Sequence, residues 1–258
     1  MIYAKLTLRQ VPGNYGVRVR MPTNNKAIYN LCKNVDYERL KVGNDQQELV
    51  RVDNYMQGVD TLVEDAVSRN NFAVADSFYP GIRMDISDAY IVQFVRNFHH
   101  IIQDFFKLDL RRIKKAASKY SIVTYSPEKL KLMQRIPHFD APTRNSLAVI
   151  HYLSDAPNSG TSLYRHRETG YEYVDPLRIE NYTQNLQQQF DDPLNQPKGY
   201  IHGSTENYEE IASYKAVYNR LLMYRGSSLH SGIINPDYNF DPSPETGRLT
   251  VTSFIEFS

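Results

Sequence analysis

Apolar residues recur at helical spacing in two stretches of the first half of the chain. Residues 59–67 place apolar side chains three or four positions apart, which predicts a short helix. The stretch 88–106 keeps this spacing for longer, through Ile91, Val95, Phe98, Ile102 and Phe105. Ser87 or Asp88 can cap its start, because their side-chain oxygens accept hydrogen bonds from free backbone N–H groups. We predict that 88–106 is the main helix and that its broad apolar face covers a sheet.

From about residue 120 onward the pattern changes to short strands. Residues 147–153 form a nearly continuous apolar run, which indicates a strand that is buried on both faces. Strand-like segments also occur at 121–125, 162–164, 171–174, 220–224 and 249–257. Helices followed by a run of strands are typical of an α+β protein, here with an antiparallel β-core in the second half.

The remaining segments are less regular. Residues 1–50 mix short apolar alternation with turn signals and are predicted to form short strands and loops. Residues 176–199 are rich in Gln, Asn and Asp, so we predict a long loop there. Residues 206–218 are compatible with a short helix.

Composition excludes several classes of protein. The 258 residues are 41% hydrophobic and 23% charged, as in soluble globular proteins. No apolar run approaches the length of a membrane-spanning helix, and the N-terminus lacks the apolar core of a signal peptide. The single cysteine, Cys32, excludes an internal disulfide framework and a Cys-rich zinc site. We expect a reducing, cytoplasmic location.

The charge balance bears on partners. A net charge of +1 gives no reason to expect a nucleic acid or an anionic membrane. The expected partner is a small-molecule, amino-acid or peptidyl substrate, and the oligomeric state stays open.

Seven histidines are the first candidates for chemistry, and His138 differs from the others through its neighbour Asp140. In an extended strand, residues two positions apart face the same side, so this pair can offer a nitrogen and an oxygen to one metal ion. His230 follows the apolar run 221–224 and lies where a barrel rim can supply a third ligand. Two histidines and one carboxylate on one face of an ion are the arrangement of non-haem Fe(II) oxygenases.

A second pair of residues opens the last predicted strand. Arg248 and Thr250 share a face there, and a guanidinium beside a hydroxyl is suited to holding a carboxylate.

These motifs together carry a family likeness. His138-x-Asp140, His230 and Arg248-x-Thr250 resemble the iron(II)- and 2-oxoglutarate-dependent dioxygenases, in their prolyl 4-hydroxylase-like branch. The strand at 121–128 and the strand at 148–155 look like those that flank the first ligands in that branch, and residues 158–164 look like the turn after them. The early segments Val52-Asp-Asn-Tyr and Tyr79-Pro-Gly-Ile-Arg resemble an uncharacterised bacterial subgroup.

The resemblance implies a fold and a reaction. The fold would be a double-stranded β-helix, or jelly-roll, in 120–258, with strands and supporting helices in 1–119 that buttress it, all within one domain. His138, Asp140 and His230 would bind Fe(II) as metal ligands and catalytic residues. Arg248 would pair with the far carboxylate of 2-oxoglutarate, with Thr250 and Tyr125 donating hydrogen bonds to it. The reaction would hydroxylate a C–H bond with O2 and release succinate and CO2.

One departure from the family concerns the arginine. Arg248 follows His230 by 18 residues, a longer interval than the family usually has, and the loop between them can absorb the excess at little cost. Arg220 or Arg225 is the alternative cosubstrate ligand. Arg144 is a candidate for substrate contact, and a solvated loop position explains it equally well.

Two rival functions remain open at this stage. The same barrel can serve as a non-catalytic binding module, or as a cupin-like metalloprotein that needs no cosubstrate. Release of CO2 from 2-oxoglutarate separates the first hypothesis from both.

Overall fold

The computed structural model describes residues 29–75, 78–156 and 158–258. The strands are β1 (Asp36–Val42), β2 (Gln47–Asp53), β3 (Ala73–Val74), β4 (Gly81–Asp85), β5 (Ile113–Val123), β6 (Ser146–Tyr152), β7 (Gly160–His166), β8 (Tyr208–Lys215), β9 (Leu221–Arg225), β10 (His230–Ile233) and β11 (Leu249–Phe257). The α-helices are α1 (Asp60–Arg69), α2 (Asp88–His100) and α3 (Ile179–Phe190).

The described strands form two antiparallel sheets. The large sheet has the order β1-β2-β9-β6-β11-β5-β4-β3, and the small sheet has the order β10-β7-β8. The chain passes repeatedly between them, because β6, β9 and β11 lie in the large sheet while β7, β8 and β10 lie in the small one. This connectivity is that of a two-sheet jelly-roll. A mostly antiparallel protein with three helices confirms the α+β prediction, and the N-terminal strands extend the sheet at both ends.

The predicted main helix is present but not uniform. Ser87 caps α2 by accepting a hydrogen bond from the Ala89 N–H at 3.3 Å. Phe98 leaves helical geometry, and residues 101–105 continue as a π-helical turn. The apolar spacing thus predicted the extent of the helix, while its change of winding was not visible in the sequence.

The largest core lies on the outer face of the large sheet. Leu62 and Ala66 of α1 and Phe94 of α2 pack there against Ile122 and Val251 of the sheet. All these side chains are nearly inaccessible to water, so burial of this apolar surface is the main local source of stability. That the helices buttress the jelly-roll remains a prediction about stability.

Three predictions of secondary structure are wrong. Residues 171–174 form no strand and contribute only an isolated bridge between Tyr173 and Ser228. Residues 176–199 contain α3, in which Tyr182, Leu186 and Phe190 are buried on one face. This apolar stripe is narrow, and the surrounding Gln and Asn residues masked it. Residues 206–218 contain β8 instead of a helix, because pairing with β7 overrides the local preference.

Of the predicted strands in 1–50, β1 and the start of β2 are present, and residues 1–28 lie outside the described part of the chain. Among the described helices, none combines the length and the apolar character that a membrane-spanning segment needs.

Candidate metal centre

The two predicted histidine ligands lie directly opposite each other on neighbouring stretches of backbone. His138 and His230 form an antiparallel bridge, and each donates its N–H to the carbonyl of the other at 2.9 Å. Directly opposite residues of an antiparallel pair project their side chains to the same side. The imidazole rings accordingly lie 4.3 Å apart between centroids.

Asp140 is held beside them by the loop before β10. Its N–H donates to the Gly226 carbonyl at 2.7 Å, which fixes the backbone two residues after His138. The carboxylate oxygens lie 3.9 Å from His138 Nε2 and 3.5 Å from His230 Nε2. One ligand atom from each of the three residues lies within 4.8 Å of the other two. The predicted triad therefore converges on one point.

His230 is oriented by its other ring nitrogen. Nδ1 lies 2.9 Å from the Ser228 carbonyl, which can only accept, so Nδ1 carries the proton and Nε2 is left as an acceptor facing Asp140. The ring also packs edge-on against Tyr224 at 4.8 Å, and the side chain is only 6% exposed. A histidine whose other nitrogen donates to a carbonyl is the usual arrangement of a metal ligand.

The surroundings change the proton affinity of the triad. Desolvation, with the neighbouring His230 ring and the Arg83 charge, lowers the pKa of His138 well below its ordinary value. Desolvation also raises the pKa of Asp140, and His230 and Arg83 oppose that rise. The lowered pKa keeps His138 in the neutral form that binds metal ions.

The donor set fits a ferrous ion. Metal–ligand bonds of about 2.1 Å place neighbouring ligand atoms about 3 Å apart, so the observed separations need only a small inward movement. Two imidazoles and one carboxylate on one side leave further coordination positions free, as in non-haem Fe(II) sites.

A row of polar side chains crosses the inner face of the large sheet beside this triad. Arg83 of β4 pairs with Ser121 of β5, Ser121 pairs with Thr250 of β11, and Thr250 pairs with Tyr152 of β6. Residues in register share a face, so all four side chains point away from the helices and towards the small sheet. Arg248 is two positions from Thr250 and extends this polar row.

Arg248 is buried at the start of β11. Its Nη2 donates to the Gly160 carbonyl at 2.9 Å, and within the described residues its Nε has no hydrogen-bond partner. The Tyr152 ring lies 5.7 Å from the guanidinium carbon, and the Tyr238 hydroxyl accepts from the Arg248 N–H at 2.9 Å. The guanidinium is thus held in place while it keeps donor capacity for a ligand.

Thr250 and Tyr125 differ in their surroundings. The Thr250 hydroxyl donates to the Ser121 carbonyl at 3.2 Å, on the same face as Arg248. The Tyr125 carbonyl accepts from the Tyr200 hydroxyl at 2.6 Å, and within the described residues no hydrogen bond joins Tyr125 to Arg248. Burial raises the pKa of Tyr79, and the positive charges of Arg248 and Arg83 oppose that rise.

The alternative arginines are already engaged by carboxylates. Arg220 forms an ion pair with Asp53, one of its nitrogens lying 3.0 Å from a carboxylate oxygen. Arg225 contacts Glu48 at 3.2 Å, and Arg144 contacts the same carboxylate at 2.8 Å.

The sequence analysis missed Arg83, which it quoted only as part of a family likeness. The signal was available, because Arg83 stands between Ile82 and Met84 in a short alternating strand. Those two neighbours belong to the core beneath the helices, so the residue between them faces the inner side of the sheet.

A family model described as a family of unknown function (DUF6445) matches residues 33–255. The search of curated proteins finds no match.

Among solved structures, the chain is similar to the non-heme alpha ketoglutarate dependent carbocyclase SnoK from nogalamycin biosynthesis, at 11% identity, 83% coverage of this chain, 81% of that chain and a TM-score of 0.44. It is similar to a Pseudomonas putida prolyl-4-hydroxylase, at 13% identity, with 87% of this chain and 92% of that chain covered and a TM-score of 0.41. It is also similar to HygX from Streptomyces hygroscopicus with nickel, 2-oxoglutarate and hygromycin B bound. The identity is 12%, the coverage is 83% of this chain and 84% of that chain, and the TM-score is 0.46. At these identities and TM-scores the likeness assigns no activity to this chain.

Proposed function

The chain belongs to DUF6445, a family of unknown function, and we propose that it is an Fe(II)- and 2-oxoglutarate-dependent oxygenase that hydroxylates a C–H bond. The observation that carries the proposal is the convergence of His138, Asp140 and His230. The buried guanidinium of Arg248, with a free donor on the same side of the sheet, supports it.

The three converging side chains would hold Fe(II). When bound with 2-oxoglutarate and O2, the iron supplies oxidation of a substrate C–H bond, with succinate and CO2 as co-products. His138 and His230 would bind through neutral nitrogens, and the Ser228 carbonyl would keep the His230 ring in the binding tautomer. Asp140 would bind in its ionised form, which a nearby cation favours strongly.

Arg248 would bind the far carboxylate of 2-oxoglutarate. A guanidinium that is buried without a carboxylate partner gains most from an anionic ligand, because the pair then replaces an uncompensated buried charge. Thr250 would turn its hydroxyl from the Ser121 carbonyl to that carboxylate. Tyr79 is a second candidate beside Tyr125, because the charge of Arg248 opposes the rise that burial causes in the pKa of Tyr79. Arg220 and Arg225 are less suitable, since each already has a carboxylate partner.

An aromatic cluster would limit access of water at the Arg248 end. Tyr200 and Phe240 stack at 6.1 Å between centroids, and Tyr238 meets Phe240 at 5.2 Å. Tyr238 also accepts the Arg248 N–H, which ties the cluster to β11. Exclusion of water strengthens the ion pair between Arg248 and its ligand.

The test is release of CO2 from 2-oxoglutarate labelled at C1, with Fe(II) supplied under air. We expect release by the wild-type protein, and none above background from His138→Ala or Asp140→Ala. His99→Ala is the matched control, because the His99 ring lies on α2, where it bonds to the Arg96 carbonyl and contacts the His100 ring. Metal binding without any release of CO2 would instead support the binding-module hypothesis.

A further inference from the structure

Arg83 lies on the inner face of the large sheet, the same face on which the Tyr224 ring packs against His230. Its guanidinium is over the Tyr79 ring, 4.3 Å from the centroid, and 6.0 Å from the centroid of Phe254. Its place in β4 is in register with Ser121, Thr250 and Tyr152, so its side chain projects into the space between the two sheets. It is distinct from Arg248, because two strand spacings of about 4.8 Å each separate β4 from β11.

Arg83 has no partner for its donors within the described residues. Its Nε is buried without a hydrogen bond, and no ion pair or side-chain hydrogen bond of Arg83 occurs in that part of the chain. Five arginines in or beside the sheets differ from Arg83, because Arg51, Arg144, Arg165, Arg220 and Arg225 each contact a carboxylate. A partly buried guanidinium without a partner costs free energy, which an anionic ligand recovers.

The surroundings of Arg83 also indicate the shape of that ligand. An aromatic ring covers a face of the guanidinium, so its N–H donors are left to act along the edge of the planar group. Two parallel donors in a plane match the two oxygens of a carboxylate. The neighbouring rings of Tyr79 and Phe254 provide an apolar wall for the carbon atoms attached to it.

We propose that Arg83 binds a carboxylate of the primary substrate and so sets the distance from that carboxylate to the carbon that is oxidised. The substrate class is therefore a carboxylic acid. The two arginines of the inner face divide the anions between them, with Arg248 for 2-oxoglutarate and Arg83 for the substrate. This inference rests on the proposed function.

The test measures binding by calorimetry and ligand-observed NMR in protein loaded with Ni(II) and saturating 2-oxoglutarate, so that no turnover occurs. The probes are carboxylic acids paired with their primary amides: benzoate with benzamide, hexanoate with hexanamide, and free amino acids with amino-acid amides. We expect at least one acid to bind about tenfold more tightly than its amide. Arg83→Gln should remove that preference, and Arg83→Lys should keep part of it.

Matched variants identify the arginine responsible. Arg39→Gln is the control, since Arg39 is exposed on β1 and likewise lies over a tyrosine ring, 5.8 Å from its centroid. It should retain the acid preference. Circular dichroism melts of each variant separate loss of the site from loss of the fold.

Three results would contradict the inference about Arg83. If no acid binds better than its amide, if aryl phosphates bind while the acids do not, or if Arg83→Gln keeps the preference, Arg83 is not a substrate carboxylate site. Binding of 2-oxoglutarate is recorded in the same samples. Its absence from the Ni(II)-loaded wild-type protein defeats the proposed function, whereas intact 2-oxoglutarate binding without acid preference defeats only the inference about Arg83.

Discussion

The two faces of the large sheet are made by the same strands and differ in chemistry along β5 and β11, although each face also has an apolar core. In β5, Tyr120 and Ile122 belong to the core beneath the helices, while Ser121 between them faces the small sheet. In β11, Val251 faces that core, and its neighbour Thr250 lies on the side of the polar row. Alternation along a strand thus separates an apolar face from a polar one by a single residue.

The difference concerns partners as well as polarity. On the outer face the Tyr120 hydroxyl donates to Asp65 at 3.0 Å, while the buried Tyr55 hydroxyl has no hydrogen bond within the described residues. On the inner face, Arg83 and Arg248 each have a buried nitrogen without a hydrogen bond within the described residues. A buried guanidinium nitrogen without a hydrogen bond belongs to a charged group, so Arg83 and Arg248 have much to gain from an anionic ligand on this face.

The largest effect is expected from Phe94→Ala on the outer face. Phe94 is fully buried and packs against Phe98 at 5.1 Å between centroids. Its removal should lower the free energy of unfolding by about 3–5 kcal/mol, because the cavity cannot be refilled. Urea denaturation measures this loss, and calorimetry with Ni(II) should find metal affinity unchanged. A loss below about 1 kcal/mol would show that α2 does not buttress the sheet.

The sequence predicted the three metal-ligand candidates better than the residues and elements around them. His138 and Asp140 are two positions apart, so local strand geometry alone predicted that they share a side. The opposition of His138 and His230 depends on pairing between distant segments, which the sequence suggested only through the place of His230 after an apolar run and through the family likeness. Arg83 was missed although the alternation of Ile82, Arg83 and Met84 indicates its face, because the sequence does not show that its Nε lacks a partner. The α3 helix was missed because three buried side chains carry it among many polar ones.

Arg248→Met tests the opposite face. We expect an affinity for 2-oxoglutarate about 100-fold weaker, because a charge-assisted pair of hydrogen bonds to the far carboxylate is lost. Calorimetry with Ni(II)-loaded protein measures the affinity. The free energy of unfolding should change by less than about 1 kcal/mol, since a buried and incompletely paired charge is replaced by an apolar side chain. Destabilisation as large as that of Phe94→Ala would show that Arg248 serves the stability of the fold, as Phe94 does.

His151 provides a further comparison, because it is a histidine of the outer face with both nitrogens engaged. They lie 3.1 Å from the Tyr90 hydroxyl and 3.1 Å from Asn219 Oδ1. Burial lowers the pKa of His151 from 6.5 to about 4. The unfolded chain therefore takes up the proton first, and stability is lost as pH falls from about 6.5 towards about 4.

His151→Gln isolates that contribution. Between pH 7 and pH 5 the wild-type histidine should lower the free energy of unfolding by about 2 kcal/mol, and the variant should lack this part of the loss. Urea denaturation of metal-free protein at the two pH values measures it, and the other histidines cancel in the difference. Equal pH dependence in the two proteins would mean that His151 is not held neutral by the fold.

Thr250→Val is expected to have the smallest effect, and it examines a residue that serves both the fold and the site. The variant keeps the shape of the side chain but leaves the Ser121 carbonyl without its donor, so the free energy of unfolding should fall by about 1 kcal/mol. If the hydroxyl also turns to the far carboxylate of 2-oxoglutarate, the affinity should weaken about fivefold, because one hydrogen bond of similar strength is lost. Thr250→Ser is the matched variant and should retain both properties, since it keeps the hydroxyl. Urea denaturation and calorimetry on the same preparations separate the two roles. Lower stability with unchanged affinity would assign Thr250 to the sheet alone and leave Arg248 and Tyr79 to bind the cosubstrate.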